Sequence, residues 1–154
     1  HMDLGAADRN DSAGLATSVE RVRGIVDAEV AAGIDPKRIA VAGFSQGGAV
    51  AIELALTHPE SLAALIALST YVVDKGRIEA NRTEANATVP VLQVHGTHDP
   101  MVPLASGQAA RDWMVEQGLV VGWKDYPMEH EVCAEELALI GDFLVDAFDL
   151  RRDA

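Results

Sequence analysis

Ser45, Asp99 and His130 are of the types, and lie in the local settings, that nucleophilic catalysis requires. Ser45 sits in Gly43-Phe44-Ser45-Gln46-Gly47, a G-x-S-x-G run between a short apolar segment and an Ala-rich one. The spacing has a chemical reason. A serine projecting from a sharp strand-to-helix turn needs small neighbours, so that the two backbones can close around it. There the Gln46 backbone N–H and the helix dipole can face negative charge developing on a substrate oxygen. A Gly-rich structural turn or a phosphate cradle would use similar residues, but the strand–turn–helix setting favours a nucleophile. A hydroxyl also needs a base, and the base a carboxylate to orient it. Asp99 lies in His95-Gly96-Thr97-His98-Asp99-Pro100, and His130 in Tyr126-Pro127-Met128-Glu129-His130. The plainer readings are an Asp-Pro turn and a solvated loop histidine. Arrival just after predicted strands favours a paired role, because strand C-terminal ends deliver side chains to a common site.

The elements that must position these residues are legible as periodicities. Leu15, Val19, Val22, Val26 and Val30 fall at helical spacing, with Ser12 as N-cap and Gly33 as stop. Residues 38–44 read as a buried strand, and Ala49 to Leu56 as a helix ending at His58-Pro59. Leu62 to Leu68 reads as a second strand, and the polar stretch 70–88 as a long connection. Residues 89–94 supply a third strand, Leu104 to Gln117 a helix stopped by Gly118, Leu119 to Tyr126 a fourth strand, and Val132 to Phe148 a last helix. Strands alternating with helices predict an α/β fold with a mostly parallel sheet of about four strands. His1-Met2 reads as a cloning scar, leaving residues 3–154 as a single domain.

Three motifs in order carry a resemblance. Gly-Phe-Ser-Gln-Gly-Gly-Ala at 43–49, His-Gly-x-x-Asp-Pro-x-Val-Pro at 95–103 and Tyr-Pro-Met-x-His at 126–130 resemble the phospholipase/carboxylesterase family of α/β-hydrolases. The family includes bacterial carboxylesterases and acyl-protein thioesterases. The resemblance implies Ser45 as nucleophile, His130 as general base, Asp99 as its orienting carboxylate and Gln46 as a backbone oxyanion donor. The implied activity is hydrolysis of carboxylic esters of small to medium acyl chains. Thioester or lysophospholipid cleavage would use the same residues. Family members begin with further strands and a His-Gly-rich loop that brings a second oxyanion donor, and nothing here matches that part. The chain therefore resembles the C-terminal two-thirds of such an enzyme, N-terminally truncated. A catalytically impaired, non-enzymatic fragment with half an oxyanion hole is the competing expectation.

Composition narrows the partners. Twelve Lys and Arg against twenty-four Asp and Glu leave a net charge of −12, which disfavours nucleic acid and anionic lipid surfaces. No apolar run is long enough to span a bilayer, so no membrane insertion is expected. One cysteine, Cys133, excludes an internal disulfide and a Cys-rich zinc site. A lone thiol and no visible secretory signal lead to a cytoplasmic expectation. The implied partner is a small-molecule ester, with no cofactor and no metal. His95 and His98 beside Asp99 are a thin case for metal, and His95 reads better as a packing residue at a strand end. Met101, Val102 and Met128 flank the acid and base, offering either an acyl pocket or core and rim packing. Cys133, Trp113 and Trp123 read as packing residues. Finally, 39–43 contains no charge and reads as a strand buried on both faces. Left as an open edge, it predicts a homo-oligomer that covers it.

Overall fold

A computed structural model describes residues 4–150 of the chain, with side chains from residue 12 onward; the cloning-scar reading of residues 1–2 lies outside the described residues. In chain order, α1 (Leu4–Ala31) leads through a 3-10 turn (Pro36–Arg38) to β1 (Ala40–Phe44), then α2 (Gln46–Thr57) and β2 (Ala64–Leu68). Next come α3 (Lys75–Asn81), a 3-10 turn (Glu84–Asn86), β3 (Val91–Gly96), α4 (Leu104–Glu116), β4 (Val121–Tyr126) and α5 (Ala134–Ala147). The four strands lie in the order β1-β2-β3-β4, every neighbouring pair parallel. All four C-terminal ends therefore open on the same side.

Alternation along the strands divides the core in two. Val41, Leu65, Ala67 and Val91 face a layer in which Leu15, Val19 and Val26 of α1 pack with α2, Ile78 of α3, and Trp113 and Met114 of α4. Ile66, Leu92 and Val94 face the other way, onto Leu139, Ile140, Phe143 and Leu144 of α5. Burying these two apolar layers drives the fold. No helix among the described residues is long and apolar enough to cross a membrane.

Three sequence expectations need correction. Ser12 does not cap α1, which starts at Leu4; its hydroxyl instead donates to Asp74 Oδ2 at 2.7 Å, tying α1 to the start of α3. The 70–88 connection is not wholly irregular. Asp74 accepts from the Arg77 N–H at 2.9 Å and caps the short α3, which buries Ile78. Nor is β1 buried on both faces. Val41 is covered by the helical layer, but Ala42 and Phe44 are exposed, because α5 packs on β2 and β3. The expected stops hold, with Gly33 at φ 107° after α1 and Gly118 at φ 92° after α4.

Candidate active site

The turn between β1 and α2 is tight enough to explain its glycines. A Cβ on Gly43 would come within 2.0 Å of the Gly47 carbonyl oxygen, so no larger residue fits where the strand leaves and the helix begins. Gly48 is equally constrained, since a Cβ there would meet the Thr70 side chain at 2.5 Å. Gly47 itself faces open space. Between them Ser45 sits at φ 57° and ψ −122°, a left-handed conformation that costs a non-glycine residue energy. Two contacts from β2 and its loop hold it there. The Ser45 N–H donates to the Leu68 carbonyl at 2.8 Å, and the Thr70 hydroxyl donates to the Ser45 carbonyl at 2.5 Å. Gln46, the first residue of α2, has a backbone N–H with no intrahelical acceptor.

Asp99 follows β3 and is buried, with both oxygens occupied. Oδ1 accepts the Met101 and Val102 N–H groups, each at 2.8 Å, and Oδ2 accepts from His130 Nδ1 at 2.7 Å. Burial alone would raise the carboxyl. The Val102 amide, His130 and the Met101 amide outweigh it and hold the group below its ordinary 3.8. Asp99 is therefore an anion that fixes the imidazole with Nδ1 protonated, leaving Nε2 as a proton acceptor. The Phe44 ring lies against His130, centroids 4.6 Å apart. Ser45 and His130 line one cleft of about 380 Å³ with Tyr71, Met101, Val102, Pro103 and Ser106. No hydrogen bond joins the two; such contacts often close only around substrate.

The remaining sequence candidates divide by position. Met101, 72% exposed, forms the rim of the cleft, and Val102 lines it from a buried position. Met128 does not line it; the side chain is buried with Ile66, Leu92 and Val94 in the core under α5. His95 is fully buried, His98 is exposed, and no cluster of three or more possible metal ligands occurs among the described residues. Cys133 precedes α5 and packs on the same core as Met128. Trp113 is buried and donates to Glu79, whereas Trp123 lies under the Arg111 guanidinium. Sequence reasoning missed Phe44, Thr70, Tyr71, Pro103 and Ser106 as neighbours of the site. Only Thr70 left a trace, as a polar residue just past a buried strand.

This arrangement has relatives. A family model described as phospholipase/carboxylesterase matches residues 2–147. Acyl-protein thioesterase 1 of Neurospora crassa is 37% identical over 139 residues, covering 88% of this chain and 57% of that protein. A probable carboxylesterase SOBER1-like protein of Arabidopsis thaliana is 31% identical, over 93% of this chain and 55% of its own length. The crystal structure of Arabidopsis thaliana SOBER1 superposes with a TM-score of 0.82 at 32% identity, over 86% of this chain and 64% of that one. The chain thus spans between about half and two thirds of these relatives. With a four-stranded parallel sheet, a serine on its strand-to-helix turn, and a family model matched almost end to end, the chain belongs to the phospholipase/carboxylesterase family of α/β-hydrolases.

Proposed function

We propose that this chain carries the catalytic centre of a serine hydrolase acting on carboxylic esters of small to medium acyl chains. His130 Nε2 takes the proton of Ser45, Ser45 Oγ attacks the ester carbonyl, and the Gln46 N–H stabilises the oxyanion. His130 then returns the proton to the departing alcohol, and water resolves the acyl-enzyme by the same route. Asp99 orients His130 and stabilises its charged form throughout. The observation that carries the reading is the 2.7 Å Asp99–His130 hydrogen bond, made where His130 and Ser45 share one cleft. A cleft of about 380 Å³ suits a small substrate.

Thioester cleavage is a second reading of the same machinery, favoured by the relatives that are acyl-protein thioesterases. The two are tested together. A fluorophosphonate should label Ser45 in the wild type and not in Ser45→Ala, and paired oxygen esters and thioesters of equal chain length should rank the leaving groups. Loss of one oxyanion donor costs about 100- to 1,000-fold in kcat. Labelling with barely measurable turnover would therefore mark an incomplete oxyanion hole, the expectation of an impaired chain. Absence of labelling overturns the hydrolase reading.

A further inference from the structure

We propose that His95 is a positioning residue for the acid–base pair: it grips the 99–102 turn so that one Asp99 oxygen is left to His130 alone. This rests on the serine-hydrolase reading and adds to it a group that touches neither substrate nor the reacting atoms.

His95 lies on β3 and is 0% exposed. Its Nε2 is 2.8 Å from the Val102 carbonyl oxygen, an acceptor, so Nε2 carries the proton and donates. Its Nδ1 has no hydrogen-bond partner and lies against Gly107 of α4, where a Cβ would come within 2.4 Å of it. The Trp123 ring is stacked nearly parallel to the imidazole at 6.4 Å. A residue serving only to pack would do better as an apolar ring, which leaves no nitrogen unpaired in a dry site. The polar ring is explained by what Nε2 holds.

Val102 is gripped at both of its backbone groups, its carbonyl by His95 and its N–H by Asp99 Oδ1. With Met101 also donating to Oδ1, that oxygen is filled and Oδ2 remains for His130. His95 Nε2 is itself only 3.8 Å from Oδ2. Were the Val102 carbonyl released, the same N–H could turn to the carboxylate and compete with His130. Val102 keeps the second imidazole off the acid, and His95 keeps the turn in the shape that presents the acid.

The test uses the low-field proton NMR signal of His130 Nδ1–H, together with kcat and KM for p-nitrophenyl butyrate. His95→Phe should weaken or broaden the signal. It should lower kcat by about 10- to 100-fold with KM little changed, as expected of sub-ångström misplacement. His95→Gln, which keeps an N–H donor, should recover most of each loss. Gly107→Ala favours α4 intrinsically, yet its Cβ must push His95 aside, so it should reproduce the His95→Phe effects even if His95→Phe does not fold. A folded His95→Phe or Gly107→Ala protein with the wild-type signal and kcat overturns the inference. The NMR signal needs no turnover. Failure of wild-type labelling at Ser45 would thus sink the hydrolase reading while leaving the His95 grip to be judged on its own.

Discussion

Ser45 stands in a backbone conformation that its own side chain does nothing to favour, and the neighbours that enforce it come from β2. Strain of this kind costs about 1–3 kcal/mol. Ser45→Gly should therefore raise stability by about 1 kcal/mol in chemical denaturation while removing fluorophosphonate labelling. No gain would mean that the elbow is relaxed as it stands. The acid and base give a pH prediction. A protonated His130 cannot accept from Ser45, so ester hydrolysis should rise with pH between about 5 and 8. A flat profile counts against a histidine base. Asp99 sets a lower boundary of another kind. Its carboxyl is held below 3.8, so the stability it contributes is present above that value and is lost as pH falls through its folded-state value. The placement of Ser45, Asp99 and His130 at one end of the sheet was readable from sequence because each sits in a short local pattern at or just past a predicted strand. Phe44, Tyr71 and Ser106 were not, because only folding brings them to one cleft. Met128 shows the converse: it lies next to the base in sequence and points into the core.

At the scale of elements, α1, α2 and α3 are joined by charge as well as by apolar contact. Arg77 meets Glu53 through Nη2 at 2.8 Å and Nε at 3.0 Å, and donates also to the Ser12 carbonyl at 3.0 Å. Glu53 is buried, so Arg77→Met leaves a carboxylate with no cation and should destabilise by about 2–4 kcal/mol. Adding Glu53→Leu should return a large part of that loss. Equal denaturation midpoints for the single and double variants would show that the pair is not coupled. α5 has the opposite problem. Glu136 is 0% exposed, and burial pushes its carboxyl above 4.5, an effect the Cys133 backbone N–H only partly offsets. A raised acid in the folded state makes stability fall as pH rises above 4.5. Glu136→Leu should thus stabilise by about 1–3 kcal/mol at neutral pH and by less in acid. A gain independent of pH would mean that the Glu136 carboxyl titrates alike in the folded and unfolded states. The main helices and strands were legible because their apolar periods span two turns or several alternations. α3 has seven residues and one buried side chain, Ile78, too little for a period; its only signal was the Asp74 cap.

At the scale of the molecule, the two faces of the sheet are covered unequally. β1 pairs only with β2 among the described strands, and its Ala42 and Phe44 face outward beyond the reach of α5. Neither lysine nor proline interrupts β1. Unpaired strand groups beside an apolar face favour pairing with another chain. Light scattering should therefore give a mass above 16.3 kDa at micromolar concentration. Association should strengthen with salt, because two copies of charge −12 repel. A monomer with cooperative unfolding at all salt concentrations would overturn this expectation. The topology class was readable from the strand–helix alternation. The exposure of β1 was not, because what covers a strand depends on where a helix almost a hundred residues later comes to rest.

The parallel register also has a consequence in time. Each group of the proposed catalytic set hangs from the end of a different strand, with Ser45 after β1, Asp99 after β3 and His130 after β4. A ribosome therefore finishes the nucleophile long before it makes the base. Until β4 has zipped onto β3, the elbow carries an ordinary, unreactive alcohol. On the proposed mechanism the nascent chain is chemically silent until the strand that carries His130 to the site has docked. Recovery of Ser45 labelling during refolding is thus a clock for completion of the sheet.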